Sequence, residues 1–338
     1  MDSKRYKILI GIIAAGCLIG AVVFLWLQAN VEADSGYRVV MGTFARVVVV
    51  AKDSTAAQDC IDSAMAAIEK VDELMSDYKE DSDIGILNRE GFAEVNEWTF
   101  EVLQRSVEFS RISDGSFDVT VGPLMELWRR ASEANSLPSE KELAAARARV
   151  GYEKLLLDAN ERSVRFAVDG MKVDLGAIAK GYAIDKAVEA MRLKVAVGGM
   201  VDIGGDIRCF GKALGGRDNW MIGLQDPNLG SELMLIVKVS DAAVATSGDY
   251  QQFILIKGKR YGHIIDRSTG TSADDLSSVT IICPSATDAD ALATTVSVMG
   301  REKGIALIET LPEVEAILIS AGPEYRITKS SGAQRYIK

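Results

Sequence analysis

The sequence predicts an α+β fold built on a largely antiparallel sheet. Three observations carry this. Apolar and β-branched residues alternate with period two along much of the second half. Other stretches repeat their apolar residues at three- and four-residue steps, as helices do. Strands and helices do not follow the strict βαβ order of a doubly wound sheet. Roughly 300 residues follow the N-terminal segment, enough for a substantial core. No Pro- or Ser-rich linker divides them, so 34–338 reads as one continuous domain with two lobes, Ser132 to Glu142 being a surface loop.

The chain opens with Lys4, Arg5 and Lys7 ahead of an apolar run from Ile8 to Leu27. About 20 apolar residues suffice to cross a bilayer as a helix, and basic residues stay cytoplasmic. Residues 1–33 therefore read as an N-terminal membrane anchor or signal segment, here a transmembrane helix, with the domain on the outer side of the membrane. Lipidation at Cys17 or cleavage near Ala29 or Ala33 are the alternatives. The apolar sequence continuing past Cys17 favours a retained anchor.

Beyond the anchor, Tyr37 to Lys52 is β-branched around Met41-Gly42-Thr43 and reads as a strand pair or a bent strand. From Ser54 to Met75, Ile61, Met65, Ile68 and Val71 form the apolar stripe of a long helix. A second helix, Phe100 to Ile112, ends at Asp114-Gly115, and a turn or two of helix follows Pro123. Ser139 caps a charged helix to Val150. Short strands are expected near 154–157, 163–167 and 172–174, then a helix over Ala177 to Met191. Strands follow at 196–203, 206–210, 220–225, 233–239, 242–246 and 278–283, with Gly204-Gly205 read as a bulge. Helices Thr287 to Met299 and Glu302 to Glu309 and a strand to Ile319 close the pattern.

A net charge of −10 argues against a nucleic-acid partner, which needs clustered Lys and Arg. One histidine and no CxxC pair argue against zinc, and Cys60, Cys209 and Cys283 read as small buried residues.

Four polar clusters place carboxylates, hydroxyls or a cation beside glycines. These are Ser113 to Leu124, Asp174 to Gly181, Tyr261 to Asp266 and Ala289 to Thr295. Asp290 and Thr294 fall one helical turn apart on one face, an oxygen pair suited to a hard cation such as Mg²⁺. The same residues also suit helix capping, with Ser285 or Thr287 as cap and Asp288 and Asp290 favouring the dipole. Asp174 and Lys180 flank a glycine-containing helix start, which suits either a diphosphate or a plain cap with a solvated lysine. His263 is the candidate proton acceptor at neutral pH, or a structural histidine. Ala245 to Tyr250, with Ser247, is either an anion cradle or a turn.

In order and spelling these clusters resemble the ApbE family of FAD:protein FMN transferases. The resemblance runs from about Met41 to Ile319 through Met41-Gly42-Thr43, Met75 to Tyr78, Gly115 to Pro123, Asp174 to Asp185, Ile203 to Asp206, Ala245 to Gly248, His263 to Gly270 and Asp290 to Thr294. It implies transfer of FMN from FAD to a Thr or Ser hydroxyl of an exported acceptor protein, with release of AMP and with Mg²⁺ as cofactor. The acceptor is expected to be a flavin-carrying subunit of a membrane electron-transfer complex.

The resemblance also implies roles. Asp290 and Thr294 become side-chain metal ligands, joined by the carbonyl oxygens of Ala177 and Ala293. Met41, Tyr78, Ser116, Phe117, Asp118, Asp174, Lys180, Ser247, His263 and Ile265 line the FAD pocket, Tyr78 and Phe117 offering aromatic rings to the donor. His263 is the first choice of general base, with Asp290 assisting. The position of Lys180 is Lys or Glu in the family, which weakens a charge role there, and Arg267 stands where proline is frequent. Hydrolysis of FAD to FMN and AMP, or binding of FAD without turnover, are the competing functions.

Overall fold

A computed structural model describes residues 30–227, 232–248, 253–322 and 326–338. The run expected to form the transmembrane helix lies outside the described residues, among which no helix is long and apolar enough to cross a membrane. The expected mixed architecture with antiparallel pairing is what the chain adopts.

Its centre is a nine-stranded sheet, numbered along the chain as β1 (Val31–Asp34), β2 (Arg38–Val40), β3 (Thr43–Ala51), β4 (Gly198–Ile203), β5 (Asp206–Gly211), β6 (Ala242–Gly248), β7 (Leu276–Cys283), β8 (Glu315–Ser320) and β9 (Ile327–Lys329). The spatial order is β1-β3-β4-β5-β6-β7-β8-β9, with β2 also on β3, and every pairing is antiparallel. Period two is visible in the packing. Val47 and Val49 of β3 enter one core while Val48 enters another on the opposite face.

Helices α1 (Ser54–Met75), α3 (Glu97–Ile112), α6 (Ala179–Leu193) and α7 (Ala286–Ile308) cover the first face, burying Ile68, Leu103, Ile184 and Leu292. The second face is covered by a ribbon of Trp220–Gln225 and Leu233–Val239, through Trp220, Ile222 and Val237. A smaller core joins α4 (Gly122–Glu133) and α5 (Glu140–Arg147) to Ile256 and Ile265, with the rings of Trp128 and Tyr261 centred 5.3 Å apart. Cys60, Cys209 and Cys283 are buried and free.

Four expectations change. Helix α2 (Asp83–Glu90) was not anticipated; it is capped by the Ser82 side chain and buries only Ile84 and Leu87. The helix after Pro123 runs for 12 residues rather than a turn or two. Lys172 makes a lone bridge to Val121 instead of a strand. Gly204-Gly205 is no bulge but a two-residue hairpin turn, since Ile203 pairs with Asp206 and both glycines take positive φ. The two closing helices run as expected, divided within Ala286–Ile308 by Gly300, whose φ of 75° and ψ of 175° are not helical.

Candidate active site

Helix α6 begins without help from its own sequence, because its N-cap, Ile178, supplies no side-chain acceptor. The helix is capped from its neighbour instead: Gly181 N–H donates to Oδ2 of Asp290 on α7 at 3.0 Å. A carboxylate is favourable there, since the first turn of a helix presents free N–H groups and a partial positive charge. Gly181 is required for this approach, because a Cβ at that position would lie 2.2 Å from the Ala286 carbonyl oxygen.

The other oxygen of Asp290 accepts from Lys180 Nζ at 2.9 Å, and the same ammonium lies 2.8 Å from Asp206 Oδ2 at the turn between β4 and β5. Asp206 in turn accepts from the Thr246 amide at 3.0 Å. Two buried carboxylates thus share one ammonium. Burial pushes the Asp290 carboxyl up to about 6 despite Lys180, with the Asp206 charge adding to the rise. Burial works to lower the Lys180 ammonium, yet Asp206 and Asp290 outweigh it and hold it above the usual lysine range.

One turn along α7, Thr294 Oγ1 lies 3.3 Å from Ser247 Oγ on β6. The capping alternative holds in part: Ser285 is the cap of α7, whereas Asp290 caps α6 and not its own helix. Ser285 caps α7, Asp185 accepts from the amides of Ala286 and Thr287, and Asp288 pairs with Arg105. Asp290 faces α6 and the sheet.

This donor set fits Mg²⁺. Carboxylate, hydroxyl and carbonyl oxygens are hard ligands, and two carboxylates balanced by one lysine leave negative charge for a second cation. No group of three or more His, Cys, Asp or Glu stands ready to hold a metal among the described residues. The oxygens on offer are Asp290, Thr294 and the Ala177 carbonyl, which receives no hydrogen bond from any described residue because Gly181 N–H is drawn to Asp290. Ala293 does not fit. It is buried within regular helix, and its carbonyl already accepts the Ser297 hydroxyl at 2.8 Å.

The remaining predicted residues flank this centre. Asp174 closes a tight turn by accepting from Gly176 N–H at 2.8 Å, and its own amide donates to the Val119 carbonyl at 2.8 Å. Partial desolvation and the nearby charge of Asp174 hold the Asp77 carboxyl above its ordinary value, so the turn carrying Tyr78 faces this loop. Tyr78 itself is 83% exposed, a ring free to meet a ligand. Met41 and Gly42 form the positive-φ turn between β2 and β3.

Phe117 corrects an expectation: its ring is buried edge-on against Phe109, leaving Ser116 half-buried beside it. What this loop can show a ligand at Phe117 is backbone. Asp118 is also committed, accepting from the Thr120 amide and hydroxyl, the Tyr152 amide and Arg267 Nη1. Ile265 is buried in a short hairpin with Ser272, and His263, two residues before it, is half-buried.

Two contributors escaped the sequence reading. Asp206 lies 26 residues from Lys180, and the family-like stretch Ile203 to Asp206 contained it without giving it a role. Arg267 binds Asp118 at 2.9 Å, reaches Glu153 at 3.3 Å, and lies against Gly115, where a Cβ would meet its guanidinium at 1.9 Å. It fastens the His263 segment to the Gly115–Asp118 loop.

Fold and site together define an α+β protein with an acidic, oxygen-lined centre at one end of an antiparallel sheet. The chain belongs to the ApbE family, whose pattern matches residues 41–318. A Treponema pallidum protein named FAD:protein FMN transferase is 33% identical over 94% of this chain and 92% of its own length. One of the same name from Vibrio cholerae is 36% identical over 72% of this chain and 74% of its own. The crystal structure of the ApbE protein from Thermotoga maritima superposes with a TM-score of 0.82 at 31% identity, covering 91% of this chain and 99% of that one. The flavin transferase ApbE from Vibrio cholerae gives 0.79 at 30% identity, covering 91% and 99%.

Proposed function

We propose that this protein is an FAD:protein FMN transferase. It moves FMN from FAD to a Thr or Ser hydroxyl of an exported acceptor and releases AMP. The observation that carries this is the buried Asp290–Lys180–Asp206 cluster at the start of α6, in a chain whose relatives bear that name. In the reaction the acceptor oxygen bonds to the phosphorus of the FMN half, the bridging P–O bond to AMP breaks, and the hydroxyl proton passes to a base. Positioning and charge neutralisation supply most of the catalysis in such transfers.

Mg²⁺, held by Asp290, Thr294 and the Ala177 carbonyl, supplies charge neutralisation for the diphosphate when bound. Lys180 works against the burial that raises the Asp290 carboxyl and adds positive charge at the same place. Met41, Tyr78, Ser116, the backbone at Phe117, Asp174, Ser247 and Ile265 bound the FAD site, while Asp118 acts through its grip on Arg267. His263 is the proposed proton acceptor, carried on the segment that Arg267 fixes. The protein is proposed to sit at the inner membrane through residues 8–27, its domain outside the cytoplasm, with a flavin-carrying electron-transfer subunit as acceptor.

The test is mass spectrometry of a candidate acceptor co-expressed with the full chain or with Asp290→Ala. A covalent FMN adduct on a Thr or Ser is expected with the former only. AMP formation at the same rate without acceptor would point to FAD hydrolysis, and FAD retention without turnover to a binding protein.

A further inference from the structure

We propose that the end of the sheet remote from the acidic centre rests on the lipid bilayer, with the Leu193–Val197 loop set among the lipid head groups. The idea builds on reading residues 8–27 as a retained anchor and adds which face of the domain meets the membrane.

The first observation is a residue the fold does not explain. Helix α6 closes in the manner typical of helix ends, with the Ala196 amide donating back to the Met191 carbonyl at 3.1 Å. The residue at the left-handed position is normally glycine, as Gly91 is after α2, with φ of 72°. Here it is Val195, with φ of 62°. A β-branched residue in that conformation is strained, and strain persists where something else compensates it. Among the described residues little packs on it, since Val195 is 82% exposed and Leu193 beside it 77%. Val197 is partly exposed as well. Three large aliphatic residues thus project from one short loop.

The second observation is where that loop lies. The Val197 amide donates to the Val50 carbonyl at 2.8 Å, and the next residue, Ala51, pairs with Val31, the first residue of β1. Only Gln28, Ala29 and Asn30 separate Val31 from the end of the apolar run at Leu27. Fully extended, that interval spans roughly 13–14 Å. If the run crosses a bilayer, this end of the sheet is held against its surface, and the Leu193–Val197 loop is part of that end.

The third observation distinguishes apolar insertion from charge attraction. Basic residues at this end are largely balanced: Arg192 pairs with Asp241, Lys212 with Asp218 and Lys52 with Asp53. Lys194, between the two exposed aliphatics, suits a side chain whose stem lies in the interface with its ammonium in water. Contact should therefore depend little on anionic lipid. Since the 15 residues of α6 span about 22 Å, the acidic centre stands at most about that far from the loop and its bilayer contact.

The test uses the full chain with Cys17→Ser, its other cysteines being buried, and an environment-sensitive fluorophore on Val195→Cys. Leu193→Cys serves as a second position, and Leu137→Cys, in the loop after α4, as reference. The labelled proteins are reconstituted in phosphatidylcholine vesicles with or without nitroxide on the head groups. Labels at 193 and 195 should be blue-shifted and lose roughly half their emission to the nitroxide, as expected for groups seated in the interface, whereas 137 should not change. Equal, unshifted emission at all three sites overturns the proposal. So does a blue shift without quenching, which would mean that residues 1–29 or a second copy of the chain cover the loop. Failure of the vesicles to retain the chain would sink the anchor reading and this proposal together, whereas retention without quenching sinks this one alone.

Discussion

The two ends of α6 break local rules in opposite ways. At its start the chain offers no capping side chain, and the defect is met from outside by Asp290, a carboxylate buried between two helices. At its finish a valine stands where glycine would be unstrained, and at 82% exposure little of the described domain packs on its side chain. The proposed chemical centre lies where a distant residue answers a local flaw, and the proposed membrane contact lies where the described residues leave one unanswered. The same helix therefore separates the reacting end of the sheet from the proposed membrane end.

The contrast breaks most sharply at Asp290. Asp290→Asn keeps an acceptor for Gly181 N–H but removes the charge that faces Lys180 and the proposed cation. FMN transfer should fall roughly 100- to 1000-fold, the scale set by losing one preorganised electrostatic group. Rate measured against Mg²⁺ concentration is the check, and an unchanged rate and Mg²⁺ dependence would remove Asp290 from the centre. Gly181→Ala attacks the same end by shape. The added methyl must displace the backbone at Ala286, so a loss of about 1–3 kcal/mol in stability is expected from thermal unfolding.

How much of this could be read beforehand divides along the same line. Local signals were legible. The stripe of Ile61, Met65 and Ile68 gave α1, Ser139 with Glu142 forms the capping box of α5, and Gly300 interrupts α7 where two helices were expected. Asp290 and Thr294 were legible as a pair because four residues make one helical turn. The partners of that pair were not, because they meet only through the fold. Asp206 reaches Lys180 across a hairpin, and Arg267 binds an aspartate far away in the chain. Phe117 and Ala293 were misjudged for a related reason: a matching motif identifies a position, but not whether ring or carbonyl is already engaged. Val195 carried no signal at all, since strain at a helix end appears only with the backbone angles.

Arg267 tests whether the loop beside the centre needs an outside fastening too. Arg267→Ala leaves Asp118 with its bonds to Thr120 and Tyr152 but without its cation, and opens space against Gly115. Because the guanidinium is partly exposed, the stability loss should be moderate, about 1–2 kcal/mol. The more telling reading is kinetic. A loosened Gly115–Asp118 loop should raise KM for FAD several-fold, with a smaller change in kcat if His263 stays in place. Unchanged KM would show that the loop holds its shape without Arg267.

The smallest effect expected belongs to the other end of α6, and its sign is unusual. Most substitutions of an apolar residue by glycine destabilise, because glycine gives up contacts and gains freedom in the unfolded chain. Val195→Gly has few contacts to lose at 82% exposure, and it removes a left-handed strain worth about 1–2 kcal/mol for an L-residue. Against a cost of roughly 0.5–1 kcal/mol for the added freedom, the balance runs from about zero to a net gain of about 1.5 kcal/mol. Thermal unfolding of the full chain in detergent should show a slightly raised Tm, with FMN transfer unchanged because position 195 lies a helix length from Asp290. A lowered Tm would mean that Val195 makes a stabilising contact within the protein, and the difference between the two ends of α6 would then disappear.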